Sequence, residues 1–352
     1  MEWRGLNNRE SYAVTPVLSA SLVIFIVTMA VSSFLFVELP HIDDLEQEGN
    51  FQELEVLCSV VADNMDEITA NKAGEQKVIP FTVDNALISV DKDEYDTTVV
   101  IYSNSSNPSY EFSVTGLNDG DYQFNIIFDS GINTGQFDAN VHWIDGELAG
   151  QIVTIDVGDE GNNGLVYLGD ESFNLKGTVE ILINDTDNSD ILVGKIWLFD
   201  SNFLTCELTS DESSQMISIE KGGLICYNDQ QSWVEKSFNL DAEDDYLQMK
   251  IVNFNASKSF SISGSNNVQT KITLNSVINK VREMKRLYFI KIQFYGHNAQ
   301  TWINYIYNQY NGFVPVNSNT LFYSPSDPST YPEYPDGVLT VFSHSLVEIN
   351  TN

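Results

Sequence analysis

The sequence predicts a mainly β chain led by an N-terminal transmembrane helix and a short stalk helix, and three patterns predict it. Residues 17–37, VLSASLVIFIVTMAVSSFLFV, hold no charge over twenty-one positions. Between Phe51 and Ala70 apolar residues recur at three- and four-residue steps, the mark of an amphipathic helix. From about Val78 onward, short β-prone runs alternate with turn clusters about every ten residues, which is the spacing of a β-sandwich or barrel.

At about 1.5 Å per residue, a helix over the uncharged run reaches roughly 30 Å, the thickness of a hydrocarbon core. Nothing later in the chain approaches it, so one crossing is expected. Arg4 and Arg9 precede the run; Glu38, Asp43, Asp44, Glu46 and Glu48 follow it, with no Lys or Arg before Lys72. The basic-side-in bias then places the N-terminus in the cytoplasm and the large C-terminal region outside. A secretory signal peptide also pairs basic residues with an apolar run, but that run is typically about 7 to 15 residues and ends at a small-x-small site. Here it ends Phe36-Val37-Glu38-Leu39-Pro40. A plain single-pass anchor is the simpler alternative.

The leader is more specific. Arg4-Gly5-Leu6-Asn7-Asn8-Arg9-Glu10, placed just before the apolar run, resembles a class III (prepilin-type) signal sequence. Ala13-Val14-Thr15-Pro16-Val17-Leu18 resembles the Ala-Val-Ser-Pro-Val-Ile opening of archaeal type IV pilins and archaellin-like proteins, with Thr in place of Ser. The resemblance covers about residues 4–37 and implies cleavage by a prepilin peptidase between Gly5 and Leu6. Glu10 then becomes the fifth mature residue, where many such pilins keep a glutamate. The physical reason is that bundled helices carry their cut N-termini into an apolar core, where an unpaired ammonium is costly and a carboxylate neutralises it. The implied partners are the peptidase, the membrane and other pilin subunits.

Pro40 is expected to kink or stop the first helix. In the stalk helix that follows, Leu54, Leu57, Cys58, Val61, Met65 and Ile68 form one stripe against an acidic face, to be covered by the downstream sheet or by a coiled-coil partner. The β-rich remainder is expected as two regions, 76–200 and 201–352. The run Asn275 to Lys285 suggests a short helix, and Asn298 to Asn308 a second, with Trp302, Ile303, Ile306 and Tyr310 on one face. The stretches IEKGGLICYND and LYFIKIQFYGHNAQTWINYIYNQY also resemble, more loosely, elements of large archaeal pilin-like surface proteins. Ser324 to Asp336 reads as a Pro-rich loop.

Fifty Asp and Glu against seventeen Lys and Arg give a net charge of −33, which excludes nucleic acid as an electrostatic partner. Six of the basic residues, Lys271, Lys280, Arg282, Lys285, Arg286 and Lys291, lie close together and serve either internal pairing or docking of an acidic neighbour. Histidines are scattered, with no H-E-x-x-H and no G-x-S-x-G, so neither enzyme chemistry nor a cofactor is indicated. Asp185, Asp187 and Asp190 are weak calcium candidates, since clustered oxygens suit that ion but the EF-hand template is missing. Cys206 and Cys226, twenty residues apart, could pair in an oxidising exterior, while Cys58 packs as a small hydrophobe. Asn104, Asn184 and Asn255 open N-x-S/T sequons, glycosylation candidates on an external domain.

Cleavage is directly measurable: mass spectrometry of the mature protein from native membranes should return an N-terminus at Leu6, and Gly5→Arg should abolish the cut. An intact start at Met1 or Glu2 contradicts it.

Overall fold

The computed structural model describes residues 11–70, 73–81, 86–92, 94–103, 111–115, 125–129, 137–145, 149–156, 164–167, 177–186, 191–208, 215–228, 231–243, 246–263, 270–287, 289–323 and 338–351. The fold is mainly β. Two compact units divide it, residues 1–53 and residues 54–352.

One helix, α1 (Ser11–Ala70), begins in the first unit and ends in the second. It runs on through Pro40, so the expected division into a membrane helix and a separate stalk helix is replaced by a single element. A proline removes one N–H from the ladder but leaves the remaining bonds in place, and the Glu- and Leu-rich flanks keep helical propensity on both sides. Of the expected crossing, the side chains described are those of residues 23–29. Val23, Ile24, Phe25, Ile26, Val27 and Met29 are each more than half exposed, and consecutive positions place them all around the helix. Among the described residues, no helix is long and apolar enough to cross a membrane.

The second unit contains the strands. In chain order they begin with β1 (Gln76–Phe81), β2 (Ala86–Val90), β3 (Asp96–Ser103), β4 (Glu111–Thr115), β5 (Asn125–Asp129), β6 (Phe137–Trp143) and β7 (Ile152–Asp156). There follow β8 (Gly164–Tyr167), β9 (Thr178–Asp185), β10 (Ile191–Ser201), β11 (Leu204–Leu208), β12 (Met216–Glu220), β13 (Gly223–Tyr227), β14 (Ser232–Lys236) and β15 (Leu240–Glu243). The last are β16 (Tyr246–Ala256), β17 (Phe260–Ser263), β18 (Thr270–Leu287), β19 (Phe289–Tyr295), then helix α2 (Ala299–Gln309), β20 (Phe313–Asn317), β21 (Thr320–Tyr323) and β22 (Val338–Thr351).

These strands form an eight-stranded sheet (β20-β21-β19-β3-β10-β9-β6-β7), a six-stranded sheet (β14-β13-β12-β11-β2-β17), a five-stranded sheet (β1-β18-β22-β16-β15) and a three-stranded sheet (β4-β5-β8). The expected boundary near residue 200 is not observed. β1, β2 and β3 pair respectively with β18, with β11 and β17, and with β19, so early and late segments share sheets. Residues of the eight- and five-stranded sheets enter one core with α2, centred on Trp197, which meets the Phe342 ring at 4.4 Å between centroids.

The helix expected over Asn275 to Lys285 is part of β18, paired along its length with β22. Register shifts between Ser276 and Ile278 and between Val281 and Glu283 explain the misreading. Each bulge resets the period-two alternation, which leaves Val277, Ile278, Val281 and Met284 at the three- and four-residue steps of a helical stripe.

The end of α1 supplies apolar burial. Leu54, Cys58, Val61, Ala62, Met65 and Ile68 are fully buried, so the stripe is covered by the chain's own strands rather than by a coiled-coil partner. Lys236 of β14 bonds Asp63 and Asp66 at 2.8 and 2.9 Å along its rim. The cysteines collect here. Cys206 and Cys226 both register with Ile217 on the strand between them, which sets them two strand spacings apart, roughly 9.5 Å, against about 7 Å at most for a disulfide. All three thiols are free, correcting the expected Cys206–Cys226 pairing. A hydrogen bond with Cys206 and burial hold the Cys58 thiol well above its ordinary range, and burial pushes Cys226 up to about 12. These thiols act as small apolar side chains.

Truncating Met65 to Ala should therefore cost about 2–5 kcal/mol of the second unit's stability, and Val56→Ala, on the exposed face, under about 0.5 kcal/mol. Denaturant unfolding followed by the fluorescence of the buried Trp143, Trp197 and Trp302 measures both. Equal effects would remove the stripe from the core.

Candidate functional site

The site grows from a tight hairpin. β12 and β13 are joined by Lys221-Gly222, with φ of 56° and 90°, the two consecutive left-handed residues that a type I′ hairpin turn requires. Lysine is an unusual occupant of that region, and its side chain shows what holds it there. The ammonium lies 3.5 Å from Asp96 Oδ2 and 3.6 Å from Glu220 Oε1, and all three side chains are at most 3% exposed.

Glu220 also ties the hairpin to α2. Trp302 Nε1 donates to its Oε1 and Asn298 Nδ2 to its Oε2 at 3.1 Å. The backbone N–H of His297 donates to Asp96. Two glycines make this approach feasible. A Cβ on Gly296 would sit 1.8 Å from Asp96 Oδ1, and one on Gly223 would sit 2.6 Å from Trp302 Cη2. The two stretches singled out in the sequence, IEKGGLICYND and the segment ending in α2, thus meet around a single buried cluster.

Two carboxyls share one ammonium here, and the balance of charge follows. Burial pushes Glu220 up to about 8, against the pull of Lys221 and with the help of Asp96. Burial also acts to raise Asp96, but the Lys221 ammonium, with hydrogen bonds from Glu220, Lys221 and His297, outweighs it and holds Asp96 low. At neutral pH the cluster is therefore a Lys221–Asp96 ion pair beside a protonated Glu220. A perturbed carboxyl of this kind is often a catalytic acid. Glu220 has no exposed surface, so it presents no face to an external substrate and instead fastens α2 to the hairpin.

Outside this cluster lies a groove of about 610 Å³ between α2 and the β13–β14 strands. The Tyr227 ring lies tilted against His297 with centroids 5.7 Å apart, and Ser232 and Thr301 share an exposed 2.7 Å hydrogen bond between the two walls. α2 divides its faces by helical spacing: Trp302, Ile303 and Ile306 enter the core, while Gln300, Asn304 and Asn308 line the groove.

Other expected residues fall elsewhere. Gly5, Leu6, Glu10, Asn104, Asp187 and Asp190 lie outside the described residues. Asp185 is buried at the end of β9, and among the described residues no cluster of metal-ligating side chains is found. Asn184 is half-buried within β9, whereas Asn255 is exposed on β16. Of the basic residues, Lys271 and Lys280 are exposed on β18, and Lys291 is buried on β19. The groove was not anticipated, although the i, i+4, i+8 spacing of Gln300, Asn304 and Asn308 carries it. No family model, curated protein or solved structure matches the chain.

The cluster sets a pH dependence. Glu220's folded pKa is raised, so the native state holds a proton that the unfolded chain releases, and this contribution to stability falls as pH climbs from about 4.5 to about 8. Asp96's is lowered, so its contribution is present above about 3.8 and is lost below it. Glu220→Gln should flatten the slope between about pH 5 and 8, removing up to about 1.4 kcal/mol per pH unit. The variant is accommodated because the Asn298 Oδ1, which lacks a partner, can accept from the new amide once the Asn298 side chain rotates. Parallel stability–pH curves for variant and wild type would contradict the assignment.

Proposed function

We propose that this chain is a membrane-anchored, type IV pilin-like surface protein, a minor, tip or adhesin-like subunit of an archaeal cell-surface filament. One observation carries the reading. A single helix bears apolar side chains exposed on every side over residues 23–29 and, at its other end, a stripe buried by the β-rich unit. An all-round apolar surface requires lipid or a bundle of like helices. The leader Arg4-Gly5 with Glu10, and the charge asymmetry across residues 17–37, support a prepilin-type cut and an N-terminus in the cytoplasm.

In this reading the β-sandwich-like region is the extracellular head, and Asn255, exposed on β16, is the best placed glycan acceptor. About 280 residues follow the helix, so a filament built only of this subunit would carry a large head on every helix. That bulk favours a minor or tip position. A singly anchored binding or envelope-layer protein would use the same anchor and head without polymerising, and Glu10 separates the two.

In a helix bundle, leaving the Leu6 ammonium unpaired costs about 3 to 5 kcal/mol; at the wet face of a lone anchor the same pair is worth roughly 0 to 1 kcal/mol. Glu10→Ala should thus leave insertion and cleavage intact while strongly reducing the protein recovered in sheared surface filaments. Wild type missing from the filament fraction, or mutant recovered equally, favours the lone anchor.

A further inference from the structure

We propose that the groove between α2 and the β13–β14 strands binds a neutral carbohydrate. The lining chemistry selects this class. In a chain with fifty carboxylates, none of the described lining residues is Asp, Glu, Lys or Arg. Six of the thirteen are Asn or Gln, and Val234 is the lone aliphatic one. An anionic ligand would find no Lys or Arg, a metal or ammonium no carboxylate, and an apolar ligand would strand the amides without partners.

Carboxamides both donate and accept, as sugar hydroxyls do, so a face of amides can satisfy a polyhydroxylated ligand whichever way its O–H groups turn. The amides are also pre-set. Gln300 Nε2 donates to Asn304 Oδ1 at 2.9 Å along α2, and Asn228 Oδ1 accepts the backbone N–H of Gln231 at 2.9 Å on the opposite wall. Fixing side chains in advance lowers the ordering cost of binding.

Aromatic surface completes the site. Tyr227 and Tyr305 lie on the two walls, offering rings against which the C–H faces of a sugar can pack. Burial, together with Glu220 and Asp96, raises the Tyr227 phenol, and burial raises Tyr305, so both stay neutral and the groove carries no phenolate. The volume, about 610 Å³, falls within the roughly 300–1,000 Å³ of small-ligand sites. The buried cluster behind the groove holds α2 against the hairpin and so fixes the separation of the two walls.

This inference deepens the adhesin-like reading and rests on it for its biological sense. Binding is measured on the unassembled full chain in detergent, so loss of the filament reading and loss of the sugar site give different results. Isothermal titration with three neutral probes, mannotriose, chitotriose and galactobiose, should show binding of at least one. Its affinity should be insensitive to salt, because no ion pair is formed. Asn304→Leu and Gln300→Leu, both at exposed helical positions, should each weaken it by about tenfold or more while the melting temperature stays unchanged. The proposal fails if none of the three probes binds at about 10 mM, or if Asn304→Leu binds like wild type. It fails equally if a neutral Ser/Thr/Asn peptide binds in preference, which would reassign the groove to strand addition at the β14 edge.

Discussion

A lysine held in a left-handed turn by two buried carboxyls is the point on which the second unit depends. The hairpin turn sets Lys221 at a φ of 56°, and its ammonium is committed to Asp96 at the start of β3 and to Glu220 beside it. Removing either Lys221 or Asp96 leaves the other as an unpaired buried charge, at a cost of about 3–5 kcal/mol, whereas the protonated Glu220 contributes through the hydrogen bonds it accepts from Trp302 and Asn298. Through them the eight-stranded sheet, the six-stranded sheet and α2 are fixed to one another, and the glycines at 223 and 296 are the local consequence of how closely those elements approach. The same closeness explains the protonated Glu220. With one ammonium for two carboxyls, all three buried, ionising both costs more than keeping a proton.

Helix α1 carries two apolar patterns in one element. Over residues 23–29 apolar groups face outward in every direction, and over Leu54–Ala70 the apolar groups are confined to one stripe. The difference lies in the polar positions. Asp63, Asp66 and Glu67 interrupt the second segment and pair with Lys236 and Lys77 at the rim of the sheets. No such residue interrupts 17–37. In the proposed reading, lipid or like helices cover one end of α1 and the β-rich unit covers the other, which suits the helix to presenting that unit from a membrane or a filament.

The legible part of the fold was the part with an uninterrupted period. Ala86–Val90 and Phe260–Ser263 follow directly from alternation, Gly223–Tyr227 from a short apolar run bounded by turn residues, and α2 from its stripe of Trp302, Ile303 and Ile306. β18 was not legible because its bulges break the alternation twice, and the continuity of α1 was not because a proline signals a stop more strongly than it enforces one. The distance between Cys206 and Cys226 depends on β12 lying between them, which no spacing along the chain reveals. The buried cluster was half legible. Two of the stretches that form it stand out in the sequence by their resemblance, but the pairing of Lys221 with Asp96, 125 positions away in the chain, belongs to the fold alone.

The groove gains meaning from the charge around it. A protein at −33 surrounds itself with a negative potential that repels anions and gathers cations, and salt only shortens its reach to about 10 Å at 0.1 M. A recognition surface made of ions would have to work against that field or be altered by it as salt varies. Amides and neutral phenols are indifferent to it. An uncharged groove on a strongly acidic chain therefore separates two tasks: carboxylates keep the surface hydrated and dispersed, and the face of α2 that carries Gln300, Asn304 and Asn308 is left free to discriminate by shape and hydrogen bonding.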